Sequence, residues 1–137
     1  MFSKYDLNDP FTIKVYKFSD KIKKNDLEEY KQSFEEDLKS KKQFFIIFDI
    51  SEVKKFKFNY MVDLLLFMYK ISDDLKKLIL ANAIIANGIT KSGIDIALKM
   101  KEPFCETIVK DNLDDGIKFL CESNVLNSVS LNNKIQV

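Results

Sequence analysis

The chain has 137 residues, 46% of them apolar and 31% charged, and its 22 cations, all lysine, oppose 21 acidic residues for a net charge of +1. Such a length and balance fit one globular domain, which buries about two-thirds of its unfolded surface and needs no metal or disulfide staple. No His, Trp or Arg occurs, which excludes histidine-based triads, His-held zinc or haem, arginine fingers and bidentate Arg clamps on phosphate.

The charges are interleaved along the chain, so no global field exists to steer nucleic acid, and dedicated nucleic-acid binding is not expected. Cys105 and Cys121 stand without a CxxC pair or a His to complete a metal set, as free thiols do in a reducing compartment. The first residues carry no apolar signal-like core, and the longest uninterrupted apolar stretch, 64–69, falls far short of the roughly 20 residues that span a bilayer. A cytoplasmic protein without a membrane span is the expectation.

Phe11-Thr12-Ile13-Lys14-Val15-Tyr16-Lys17 alternates at period two, which predicts a half-buried strand beginning after Pro10 with Phe11, Ile13 and Val15 on its inner face. Asn25 with Glu28 three residues on reads as a helix start, and Leu27, Tyr30, Phe34 and Leu38 form one helical stripe behind it. Phe44-Phe45-Ile46-Ile47-Phe48 is continuously apolar, as in a central strand covered on both faces. The run leads through Asp49-Ile50-Ser51-Glu52-Val53 into a basic and aromatic connection, Lys54-Lys55-Phe56-Lys57-Phe58.

Met61, Leu64, Leu65, Met68 and Ile71 recur at helical spacing, predicting a second helix over 59–71 with Asn59 as its cap. After a turn or fresh cap at Ser72-Asp73-Asp74, residues 78–86 read as a buried strand interrupted by one polar residue, Asn82. A third helix is expected over 90–101, with Ile94, Ala97, Leu98 and Met100 apolar and Pro103 preventing its continuation. Residues 106–109 make a short strand, and Asp111-Asn112 caps a last helix with Leu113, Ile117 and Leu120 inward and Asp114 and Asp115 at its positive end. From Ser123 the pattern fades into a polar tail, with room for a short element over 125–129.

Strands alternating with helix-length segments predict an α/β fold with a mainly parallel sheet of four to five strands and right-handed crossovers. Gly88, Gly93 and Gly116 form neither GxGxxG nor a P-loop, so dinucleotide and Walker-type phosphate sites are absent. One domain over 1–123, followed by a tail over 124–137, is the expected organisation.

The segment Phe45-Ile46-Ile47-Phe48-Asp49-Ile50-Ser51-Glu52-Val53 resembles the apolar strand ending in Asp-(Leu/Ile)-Ser-x-Val of STAS domains, the anti-sigma-factor-antagonist or SpoIIAA-like fold. Thr107-Ile108-Val109-Lys110-Asp111-Asn112-Leu113-Asp114-Asp115-Gly116-Ile117-Lys118-Phe119-Leu120 is similar to that family's last strand and helix, so the resemblance covers about 44–120. It implies a small β/α sandwich that binds partner proteins in signalling rather than catalysing a reaction. Family members that act as phosphoswitches carry a Ser or Thr at the start of the helix after the central strand. Here that place reads Phe56-Lys57-Phe58-Asn59-Tyr60, with no aliphatic hydroxyl to take up a phosphate's charge.

Lys54, Lys55, Phe56, Lys57, Phe58, Asn59 and Tyr60 are therefore the candidate partner-binding residues, lying beyond the carboxyl end of a central strand, where open α/β sheets bind ligands. Aromatics anchor interfaces and lysines steer anionic partners, although the same alternation lets a loop bury its Phe and expose its Lys. Asp49, Asp73, Asp74 and Asp111 have no spacing that makes them converge, and caps and turns account for them. Ser92 and Cys105 have no His to activate them. No catalytic residue, metal site or cofactor is expected. Beside a protein partner or homo-oligomer, two further readings stay open: a pocket for a small lipid or nucleotide, and self-assembly through the second helix, where Phe67 and Tyr69 add apolar surface.

Overall fold

A five-stranded sheet organises the computed structural model, which describes residues 1–8, 11–55, 57–100 and 105–135, with the backbone alone at 89, 97, 100 and 125–135. Its strands are β1 (Phe2–Leu7), β2 (Ile13–Lys21), β3 (Phe44–Lys55), β4 (Ile79–Ile85) and β5 (Glu106–Lys110). The helices are α1 (Lys24–Lys39), α2 (Phe58–Lys70), the single turn α3 (Asp73–Lys76), α4 (Gly88–Met100) and α5 (Leu113–Ile135). The strands lie in chain order across the sheet. β1 runs antiparallel to β2, while β2, β3, β4 and β5 pair in parallel, so the α/β class with a mainly parallel sheet is what the chain adopts.

Two cores flank the sheet. Phe44, Ile46 and Ile50 of β3 pack with Leu27, Tyr30, Phe34 and Leu38 of α1, Leu64 of α2 and Ile94 of α4. Phe45 and Ile47 point the other way, into a smaller core with Ile13, Val15, Ala81, Ala83 and Leu120 of α5. That two-sided burial is what a strand of unbroken apolar residues requires. Tyr30 centres the larger core, its ring lying 5.4 to 6.0 Å from those of Phe2, Tyr16, Phe18, Phe34, Phe48 and Phe67.

The second core depends on a missing side chain. A Cβ built on Gly116 of α5 would stand 2.6 Å from Ile85 Cδ1 and 3.5 Å from Ala83 Cβ, so glycine there lets the helix sit directly on β4.

Four expectations change. β2 is buried on both faces rather than one, because Tyr16 and Phe18 pack with α1 in one core while Ile13 and Val15 lie in the other. β3 continues through Lys54 and Lys55, which are strand rather than connection. The first two helix starts move upstream: Lys23 takes the N-cap position of α1, its N–H donating to the Asp26 carboxylate at 2.8 Å, and Lys57 takes that of α2 in place of Asn59, without a side-chain cap bond. α5 carries helical backbone to Ile135, well past the fading of its apolar pattern.

The cap at Asn112 stands as expected, its Oδ1 accepting from Asp115 N–H at 2.9 Å and its Nδ2 donating back at 3.1 Å. Pro10, Lys101 and Pro103 lie outside the described residues, as do the side chains of Ala97 and Met100.

Candidate functional site

The candidate residues span the end of β3 and the first turn of α2. Lys54 and Lys55 end the strand, and consecutive strand residues point to opposite faces. Lys54 lies 3.8 Å from Asp20 on β2, a solvent-exposed pair. Phe56 lies outside the described residues. The Lys57 ammonium stands over the Tyr60 ring at 5.5 Å from its centroid, which fixes both at the entrance of α2. Asn59 is exposed without a capping role, and Phe58 projects into solvent with 72% of its surface exposed.

Phe58 begins a longer feature. Val62 and Leu66 follow at i+4 and i+8 and are also exposed, at 37% and 48%, so one stripe of α2 presents three large apolar side chains to water. The opposite stripe packs inward through Met61, Leu64 and Met68. α2 is held to α1 by Lys31, whose Nζ donates to Asp63 at 2.9 Å and lies 5.8 Å from the Phe67 ring centroid. Spacing alone could not separate the two stripes, because nearly every position of the helix is apolar.

Beneath α2 and α4 the sheet leaves a cavity of about 90 Å³, walled by residues that include Phe48, Leu64, Ile84, Ile94 and Leu98. Two polar groups reach it. Tyr30 lines the wall, and its hydroxyl donates to the Met68 thioether, at 3.5 Å. Its ionisation is pushed far above the ordinary phenol range by burial. Asn82 of β4 is the other, and its Oδ1 is the buried side-chain oxygen without a hydrogen-bond partner among the described residues.

A second polar group missed in the sequence sits between β1 and α1. Asp37, 8% exposed, accepts from Tyr16 Oη at 2.5 Å and Lys4 Nζ at 2.6 Å, with Lys14 Nζ at 3.6 Å. Asp6 completes the cluster, 2.8 Å from Lys14 and 3.5 Å from Lys4. Burial pushes the Asp6 carboxyl up, but the hydrogen bond from Lys14 and the lysine charges outweigh it and leave its pKa below the ordinary value. Lys14 moves the opposite way to its own burial, raised by Asp6 and Asp37. Burial, with the hydrogen bond to Asp37, raises the Tyr16 phenol far above its usual range. The signal for this cluster was Asp37 itself, an acid one position from the apolar stripe of α1 and near the negative helix end.

The other singled-out residues stay apart. Asp49 lies inside β3 rather than at its end and accepts from Ser51 N–H at 3.0 Å and Ser51 Oγ at 2.6 Å, where the pairing with β2 shifts register. Asp111 pairs with Lys91 at 2.7 Å, Asp73 with Lys76 at 3.8 Å, and Asp74 lies in the first turn of α3. Ser92 donates to Gly88 O at 3.5 Å, one turn back in α4. Cys105 is partly buried, and burial pushes its thiol pKa up.

No family model matches the chain, and no curated protein matches it. A solved structure does: that of an uncharacterized protein of the DUF3478 family with a SpoIIAA-like fold, from Shewanella loihica. The two share 19% sequence identity at a TM-score of 0.64, over 88% of this chain and 93% of that one. The chain has a SpoIIAA-like fold. Among the described residues no helix is long and apolar enough to cross a membrane.

Proposed function

We propose that this SpoIIAA-like domain is a non-enzymatic, cytoplasmic interaction module in signalling, which docks a protein partner on the outer face of α2 and the basic residues that precede it. One observation carries the reading: Phe58, Val62 and Leu66 form an exposed apolar stripe directly after Lys54, Lys55 and Lys57. Large apolar side chains grouped on one helix face mark interaction sites more often than scattered ones. The flanking lysines fit a partner whose apolar ridge is edged with acidic residues. With no Ser or Thr at Phe56 to Tyr60 to take up a phosphate, the surface docks constitutively.

The test is native mass spectrometry of the protein purified gently from its source, alongside a Lys57→Glu/Phe58→Ala variant. A stoichiometric hetero-complex that the variant loses, with its thermal midpoint unchanged, is the expected result. A midpoint lowered by several degrees would show Phe58 to be structural, and a bare monomer from source would remove the reading. A shift of no more than about 0.5 kcal/mol is the norm for surface positions like these.

The cavity beneath α2 favours a second reading, a small-ligand site. Its walls are almost wholly apolar and its polar groups are few, as in sites that recognise small molecules.

A further inference from the structure

Resting on the second reading, we infer that the cavity under α2 and α4 takes a compact, apolar molecule bearing a single hydroxyl group, recognised by Asn82 and Tyr30. The inference comes from pairing what the cavity's two polar groups lack. Asn82 Oδ1 is buried and accepts nothing among the described residues. Among the described residues the Tyr30 hydroxyl has a thioether acceptor alone, at 3.5 Å, and sulfur is a weak one. One wall thus needs a donor and the other offers a donor in want of a better acceptor. A hydroxyl is the smallest group that serves as both.

A water would find only the minimum of two polar partners there, with its second hydrogen left facing the Leu, Ile, Met and Phe side chains of the remaining walls, where an organic group makes contacts that water does not. The size also points to an organic occupant. Next to the cavity of about 90 Å³ is a hollow of about 60 Å³ that shares Asn82, Leu65, Met68, Ile84 and Leu98 as walls and reaches toward Cys105 and Thr107. Opened into one another by a shift of the shared, flexible Met68 side chain, the two would match an apolar cavity of about 150 Å³, which holds one benzene ring. A phenol-sized alcohol therefore fits, whereas a nucleotide or a long acyl chain does not. Met61 and Met68 in the walls are unbranched and adapt to an irregular occupant.

The experiment titrates the full chain with phenol and with benzene, read by calorimetry and by thermal midpoint, and repeats both on Asn82→Leu and Tyr30→Phe. Phenol is expected to bind about tenfold more tightly than benzene, the ratio that one net hydrogen bond gives. Asn82→Leu should erase that preference while retaining benzene, and Tyr30→Phe should reduce it. If both probes bind the wild type equally, recognition of the hydroxyl is refuted while the cavity reading survives. If neither binds at about 10 mM, the cavity reading itself falls. The wild-type comparison decides the proposal even if a variant fails to fold.

Discussion

Replacing Asp37 by Ala tests the account of how β1 is fastened to the domain. The substitution strips the acceptor from Tyr16, a residue with 0% of its surface exposed, and from Lys4 at 2.6 Å. An orphaned buried hydroxyl costs about 1–3 kcal/mol. The lysines add less than the roughly 3–5 kcal/mol of a broken, fully buried ion pair, since their side chains retain 26% and 17% exposure and both still reach Asp6. A loss of about 3 kcal/mol follows, or about 10 °C in thermal midpoint for a chain of this size.

Urea unfolding measures it directly, with unchanged m-values securing a two-state reading. Tyr16→Phe alone should cost about 1 kcal/mol, and adding it to Asp37→Ala should recover about that much, because the orphaned hydroxyl leaves with its partner already gone. An Asp37→Ala cost below about 0.5 kcal/mol, or two losses that simply add, would refute the reasoning.

The same cluster gives a pH prediction. The Asp6 pKa is depressed in the folded state, so its contribution is present above the unfolded aspartate value of about 3.9 and disappears as pH falls through the lower folded value. Asp6→Asn should flatten that part of the acid limb when urea midpoints are followed from neutral pH downward, and an unchanged slope would contradict it. Gly116→Ala should lose about 1 kcal/mol, a packing penalty of about 1–3 kcal/mol partly offset by helix propensity. Trimming the opposing side chain with Ile85→Val should make the double variant more stable than additivity predicts. Cys105, its thiol pKa raised by burial, should react with a disulfide reagent at pH 8 more slowly than a small-molecule thiol, as stopped-flow absorbance would show.

What the sequence made legible followed from side chains whose solvent is decided locally. Phe44 through Phe48 could only be a strand covered on both faces, and the stripe of α1 announced its inner side by period alone. β1 stayed hidden because the residues that share the face of Phe2 are Lys4 and Asp6, which read as surface until Asp37 and Lys14 arrive from other elements to pair with them. β2 looked half-buried for the same reason, since Lys14 shares its second face with Tyr16 and Phe18. The candidate site was legible as a segment but not as a surface. Phe58 stood out, whereas Val62 and Leu66 were indistinguishable from the core residues of the same apolar helix. Asn82 read as an interruption of a strand, and only the packing of α2 and α4 over it reveals an unanswered acceptor.

The order of strands across the sheet, identical to their order in the chain, also bears on how the domain is assembled during synthesis. After the opening hairpin of β1 and β2, each new strand needs a neighbour that emerged just before it, and none has to be threaded between two already paired. Sequence separation between partners is therefore about as small as parallel pairing allows, which keeps loop-closure entropy low and folding fast for a sheet of this kind. The domain can grow by accretion at a single edge as the chain leaves the ribosome. Until β5 arrives, that advancing edge belongs to β4, whose backbone is then briefly open to any strand that reaches it.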